Sequence, residues 1–380
     1  MEPFTIEETT QGIEVNTILN EELGANIKVV GVGGAGGNMV NHMINSGSTG
    51  VHYYAANTDI KDLHTSQTLN RIQLGVKLTK GLGAGMRPEK GKDSAVESYE
   101  DLKNSLNDAD IVFIAAGLGG GTGTGAAPIV AKAAKEVGAL TIAVVTTPFK
   151  FEGRKRTKLA EAGLLELKKE SDSIVVIPNQ KLLSIVEKTL GQSDAYKMAD
   201  EVLHRAVNGT SSIILSDSNG GITVDFADFQ TVMSYRGTAL MGIGEFQGQN
   251  AAYEALKTAI ESPLLDNVSI QGAMGILVNF TIHKDYSLID IGEAMEAIED
   301  KVDEDADIIH GTTYDNDLPA DMVKITVIAT GFEKEENTLA QKSLNNVTSM
   351  ATNETNSTST TNIPNNHSSV VMRQKTVGSD

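Results

Sequence analysis

Between residues 27 and 177 the chain alternates two kinds of pattern. Apolar runs of strand length fall at 27–32, 51–55, 111–116, 141–145 and 174–177. Between them lie stretches with the spacing of amphipathic helices, at 38–44, 95–106, 126–137 and 157–169. Strand and helix in strict alternation predict βαβ units, hence a Rossmann-like parallel sheet covered by helices on both faces. A long helix follows from 193 to about 212, with Ala199, Val202, Leu203, Ala206 and Val207 at helical spacing. After Asn219, Gly220 and Gly221 the pattern changes. Helices at 225–234, 250–260 and 288–301 mix with alternating strands at 275–283 and 322–332, which predicts a smaller α+β domain. The organisation expected is an N-terminal arm (1–25), an α/β domain (26–192), a connecting helix (193–218), an α+β domain (219–332) and a tail (333–380).

The tail stands apart by composition. From 333 to 380 there is no aromatic residue, and 14 of the 19 residues from 351 to 369 are Ser, Thr or Asn. So few apolar side chains cannot offset ordering entropy, so disorder is expected. The 380 residues carry 31 Lys and Arg against 50 Asp and Glu, a net charge of −19. That argues against nucleic acid as a partner, because such binding depends on cations neutralising phosphates. There is no cysteine, which excludes thiol catalysis and Cys-ligated zinc. The first 27 residues hold six glutamates and no Lys or Arg, the reverse of a secretory signal. The longest uncharged stretch, 111–131, is broken by six glycines and Pro128 and does not read as a membrane span. A cytoplasmic protein without membrane insertion is expected.

Two glycine loops carry the candidate chemistry. The first runs from Gly31 to Asn38, with glycine at 31, 33, 34, 36 and 37, between a strand and a helix. Gly31, Gly33 and Gly36 fit the G-x-G-x-x-G spacing of dinucleotide sites, with Asp59 as a possible ribose ligand. The second runs from Gly117 to Gly125, again between strand and helix, and adds Thr122 and Thr124 as hydroxyl donors. Glycines let backbone amides approach an anion, and a helix N-terminus presents unpaired N–H groups to it. Two such cradles at strand ends point to a nucleoside di- or triphosphate rather than a dinucleotide. It is not a P-loop site: from Gly85 to Asp93 the spacing is off by one, and an acid stands where a hydroxyl is needed. Mg²⁺ is therefore the expected counter-charge.

The run from Gly119 to Gly125 resembles the signature of the tubulin/FtsZ superfamily. The first glycine loop, Ala56 to Asp59, Gly81 to Gly85, Pro148 to Gly153, Val224 to Asp228 and Thr231 to Ser234 are similar to the FtsZ cell-division GTPases of bacteria, in order over about 14–332. The resemblance implies GTP and GDP as ligands with Mg²⁺ held mainly by their phosphates. Gly34, Ala35, Gly36, Gly37 and Asn38 with Gly121, Thr122 and Gly123 are then expected around the phosphates. Glu152 and Arg156 are expected at the ribose, and Asn179 and Asp200 at the guanine. Taken alone, Glu152 and Arg156 also read as a surface i,i+4 pair worth ~0.3–0.5 kcal/mol, and Asp200 as an exposed helix residue.

The resemblance also implies that Asp225 and Asp228 are catalytic, placing the water that attacks the γ-phosphate. Without it they read equally as a helix N-cap and a first-turn acid. If Asp200 meets the base, 15–20 residues of helix separate it from these acids, on the order of 25–30 Å. They can then serve only a neighbour stacked head to tail, which makes a filament, with hydrolysis at the interface. Two departures are visible. Thr223 stands where the family usually has Asn, and the C-terminal end lacks the usual adaptor-binding Phe-Leu or Tyr-Leu core. Division-ring adaptors remain the partners implied for the tail, beside self-assembly at a mid-cell ring. Two alternatives stay open: a tubulin-like scaffold with little hydrolysis, and an NAD-dependent oxidoreductase.

Overall fold

The computed structural model describes residues 25–47, 50–184, 191–215, 226–235, 238–265 and 270–332. The arm up to residue 24, the tail, Thr223 and Asp225 lie outside these residues. In chain order the elements are β1 (Ile27–Val32), α1 (Gly33–Asn45), β2 (Val51–Asn57), α2 (Ile60–Thr65), β3 (Asn70–Gln73), α3 (Val76–Thr79), α4 (Pro88–Glu97) and α5 (Tyr99–Leu106). There follow β4 (Ile111–Gly117), α6 (Thr122–Glu136), β5 (Leu140–Thr147), α7 (Arg154–Glu170), β6 (Ser173–Pro178), α8 (Asn179–Leu182) and α9 (Gln192–Leu215). The last part holds α10 (Phe226–Ser234), β7 (Thr238–Gln247), α11 (Ala251–Ile260), β8 (Gly275–Ile282), α12 (Leu288–Glu299), β9 (Asp307–Tyr314) and β10 (Met322–Thr330).

One ten-stranded mixed sheet has the order β3-β2-β1-β4-β5-β6-β7-β10-β8-β9. The strands β1 to β6 are all parallel. Every residue of β1 is buried, as are the first six of β4, because helices cover both faces. Chain order reverses between β1 and β4, whose register aligns Gly31 with Ala115 and Val32 with Ala116. In such sheets the crevice at this reversal, beyond the strand carboxyl ends, is where ligands bind.

The N-terminal parallel half and the C-terminal half meet in the sheet through two residue pairs, Ile174 with Thr238 and Val175 with Ala239. The greater tie is α9. Its Ala199, Val202, Leu203, Ala206 and Val207 are buried with Met39, Val40 and Met43 of α1 and with Leu277 and Ile328 of the second half. Fully burying a Val or Leu side chain contributes about 1.5–3 kcal/mol, so this helical stripe is a major stabilising element. Beyond it, β8 obeys a period of two. Leu277 faces the α9 side, whereas Ile276, Val278, Phe280 and Ile282 face a separate core with Ala255 and Leu256 of α11 and Ile291 and Ile298 of α12.

Three strands were not anticipated: β3, β7 and β9. The helix expected over 95–106 is two helices, α4 and α5, separated at Ser98. Among the described residues no helix is long and apolar enough to cross a membrane.

Candidate functional site

At the β1/β4 reversal, the two glycine loops close on one cleft of about 400 Å³. The first loop becomes the start of α1 and the second the start of α6, so two helix N-termini face the same space. The loops touch backbone to backbone. Gly33 has φ +75°, and a Cβ there would lie 2.9 Å from the Gly123 amide nitrogen. A side chain would therefore need both a rarely adopted conformation and room that is absent. Thr58 Oγ and Thr122 Oγ are 2.6 Å apart, joining the turn after β2 to the first residue of α6.

The sequence-derived residues divide into three groups. Gly34, Ala35, Gly121, Thr122, Gly123, Glu152, Arg156, Asn179 and Asp200 all line the cleft. Gly37 and Asn38 line a smaller pocket of about 110 Å³ that shares Gly33, Gly34, Asn57 and Asp62 with it. Gly36 lines neither. A Cβ there would lie 2.2 Å from the Ala115 carbonyl oxygen, so its missing side chain serves the close seat of α1 on β4. Thr124, expected as a ligand donor, is buried and accepts from the Gly119 amide at 2.8 Å, bracing the loop from within.

Glu152 and Arg156 sit at the cleft wall in one turn of chain. The Arg156 guanidinium donates to Glu152 Oε2 at 2.7 Å, and Glu152 Oε1 accepts from the Phe149 amide at 3.0 Å. The carboxylate is 10% exposed, so this is no freely solvated surface pair. Phe149 stacks on Phe151 and meets Tyr196 of α9 edge to face, with ring centroids 5.0 and 5.4 Å apart. Tyr196 itself lines the cleft. This contact explains how a turn after β5 and a helix after β6 come to share one wall, which sequence separation hides.

The cleft lining also holds polar groups that are incompletely satisfied. Asn179 starts α8 directly after β6, and its buried Oδ1 has no hydrogen-bond partner. A buried acceptor left so costs ~1–3 kcal/mol, which a ligand donor could recover. Asp200 of α9 lines the same cleft, and burial pushes its carboxyl up to about 6 while His42 acts to lower it. Asp59 lies on the rim, where its Oδ1 caps α2 by accepting from the Lys61 amide at 2.9 Å. Asp62, not singled out from sequence, also lines the cleft and accepts from Asn57 Nδ2 at 3.1 Å. The A-N-T-D run containing Asn57 was the available signal.

Asp228 is exposed in the first turn of α10. No residue of α10 lines the cleft. The rise of α9 puts Leu215 about 20–25 Å beyond Asp200.

The cleft thus brings together two glycine loops at helix N-termini, a carboxylate–guanidinium pair, and the Asn179 amide and Asp200 carboxyl. A family model described as Tubulin/FtsZ family, GTPase domain, matches residues 26–187. Another, described as FtsZ family, C-terminal domain, matches 237–333. Among solved structures, an empty FtsZ dimer from M. jannaschii is 44% identical with a TM-score of 0.79, over 83% of this chain and 90% of that one. A mutant FtsZ from M. jannaschii is 43% identical with a TM-score of 0.78, over 82% and 92%. The GTPγS-bound CetZ2 protofilament from Haloferax volcanii shares the fold at 19% identity and a TM-score of 0.64, over 84% and 99%.

Proposed function

The chain belongs to the FtsZ family of tubulin-like GTPases, and from that premise we propose that its cleft binds GTP between the two glycine loops and Asp200, for hydrolysis by a neighbouring subunit. As a member of that family it is a polymerising GTPase that forms cell-division filaments. The observation that carries the site reading is the orphaned buried Asn179 Oδ1 in the same cleft as the half-buried Asp200 and the two glycine loops. An ionised Asp200 accepts from the N1–H and exocyclic amine of guanine. Adenine offers neither in that position. Glu152 suits the ribose hydroxyls, held in place by Arg156 and the Phe149 amide.

Charge supports Mg²⁺. Among the described residues Arg156 is the one Lys or Arg lining the cleft, against Asp59, Asp62, Glu152 and Asp200. A triphosphate entering so acidic a cleft needs a divalent cation, which its own phosphate oxygens would mainly hold. When bound, the cation supplies charge neutralisation at the phosphates.

Hydrolysis falls to Asp225 and Asp228 of a second copy. Asp228 is exposed and does not line its own cleft, so it is available to a partner. The FtsZ dimer among the similar structures supports self-association here, and a head-to-tail contact is the one that would bring these acids to a neighbour's cleft. A cytoplasmic mid-cell ring and adaptor binding through 333–380 follow from the family in the same way. The oxidoreductase reading is set aside by family membership. The scaffold reading is separated by turnover: GTP hydrolysis per chain is expected to rise steeply above a threshold protein concentration. ATP is expected to compete far more weakly than GTP, and equal competition would overturn the assignment of Asp200.

A further inference from the structure

On the seam between α1 and α9, three side chains with metal-ligating atoms converge. His42 Nε2 lies 2.7 Å from Glu201 Oε2, and His204 Nδ1 lies 3.7 Å from the same oxygen. All three atoms fall within 4.8 Å of one another. Glu201 and His204 stand three apart on α9, one turn of helix, whereas His42 comes from the last turn of α1. The two imidazoles meet edge to face with centroids 5.2 Å apart, which brings their nitrogens to one carboxylate oxygen. Arg205 Nε donates to the other oxygen, Oε1, at 2.9 Å. That bond fixes the carboxylate and leaves Oε2 to face the histidines. None of the three residues lines the nucleotide cleft.

We propose that His42, Glu201 and His204 form a transition-metal site of the zinc class that ties α1 to α9. Two imidazoles and one carboxylate are a donor set suited to Zn²⁺, which keeps a fourth position for water when three protein ligands bind it. Such an ion needs ligands about 2.0–2.1 Å away, hence roughly 3.3 Å from one another in a tetrahedral site. His42 and Glu201 must open by about half an ångström and His204 close by a similar amount, within the reach of χ rotations. The hydrogen bond between His42 and Glu201 is exchanged for two metal bonds. His42 and Glu201 are 38% and 40% exposed in their side chains, so the ion has an entry path, while His204, at 12%, is held by packing. Arg205 also reaches Glu245 at 3.5 Å, which draws part of its positive charge away from the incoming cation. The arrangement joins the helix that begins at the first glycine loop to the helix that bears Asp200. The inference stands on geometry alone and does not depend on which nucleotide the cleft takes.

Co²⁺ titrated into the full chain, with its d–d absorption recorded, tests this directly. The expected result is one tight equivalent with the intense visible band of a four-coordinate N/O site, displaced by Zn²⁺. His42→Gln and His204→Gln are each expected to weaken Co²⁺ binding at least tenfold and to lose the band. His52→Gln and His64→Gln, at histidines outside the cluster, are expected to change neither. Circular dichroism of the metal-free variants checks folding, and Glu201→Gln, which keeps shape and hydrogen bonding, offers a second route to the same loss. Equal affinity and spectra for native protein and the His42→Gln/His204→Gln double variant would overturn the site. So would a six-coordinate spectrum unaffected by Glu201→Gln, because the metal would then be held elsewhere.

Discussion

Asp200 is where a single residue's environment makes a measurable claim. Burial raises its carboxyl from 3.8 to about 6, against the lowering influence of His42. Without nucleotide the folded chain therefore binds more protons at this site than the unfolded chain between about pH 4 and 6. The stability contributed by the protonated form is lost as pH rises through that window. Native protein should lose thermal stability relative to Asp200→Asn between those pH values, read from melting curves with a chelator present. The proposed guanine recognition by Asp200 has the opposite sign, because only the ionised carboxyl accepts both donors. GDP affinity should weaken below about pH 6 by up to tenfold per unit, and Asp200→Asn should show a flat profile and much weaker binding. A native profile as flat as the variant's would show that Asp200 does not meet the base. At this scale sequence reading reached most of the cleft wall. It could not tell Gly36, which seats a helix on a strand, from Gly34, which lines the cleft, because both are glycines in one loop.

At the scale of elements, β7 shows where pattern reading fails. Its sequence, TALMGIGEFQ, carries two glycines that read as strand breakers. In the fold they permit contact instead. A Cβ at Gly242 would lie 2.0 Å from the Ala259 carbonyl oxygen, and one at Gly244 would lie 1.9 Å from that of Ala255. The alanine-rich face of α11 thus packs on β7 at backbone distance, with Ala251, Ala252, Ala255 and Ala259 buried. Gly244→Ala should destabilise the chain by about 1–3 kcal/mol through overpacking. Gly292→Ala, in the exposed face of α12 with nothing within 4 Å of its Cβ, should stabilise by about 0.4–1 kcal/mol. Chemical denaturation of the two variants measures both signs. A neutral Gly244→Ala would mean that α11 can move away from the sheet at little cost. The split of 95–106 into α4 and α5 has the same cause. Apolar periodicity runs through Ser98, while its hydroxyl donates to the Gln73 carbonyl and accepts from the Gly75 amide, tertiary partners that a sequence window does not contain.

For the whole molecule, the proposed assignment of hydrolysis to Asp228 of a second copy, which lies outside the lining of its own cleft, implies an enzyme that works only as a polymer. Asp228→Ala should lower GTP hydrolysis by ~10²–10⁴-fold, the usual contribution of a water-orienting or acid–base carboxylate. Monomer affinity for GTP should stay within twofold of native. A helix-terminal role alone would cost only ~0.3–1 kcal/mol of stability and leave turnover intact. Mixing Asp228→Ala chains into native protein should depress activity more than dilution does, since each defective subunit silences a competent neighbour's nucleotide. Specific activity that stays constant down to fully monomeric protein would overturn the shared site.

What the sequence by itself determined is everything that local periodicity or a contiguous motif encodes. The parallel half of the sheet follows from apolar runs alternating with helical spacing, the buried stripe of α9 from its 3.6-residue repeat, and the two glycine loops from their composition. Tertiary structure alone decided what depends on residues distant in the chain. Gly33 lies against Gly123, Thr58 beside Thr122, Phe149 against Tyr196, and His42 beside Glu201 and His204. The physical reason is that a side chain's local pattern records which face it buries but carries no information about which partner meets it there. That partner is chosen by strand order, and here the β1/β4 reversal and the path of α9 across both halves make the choice.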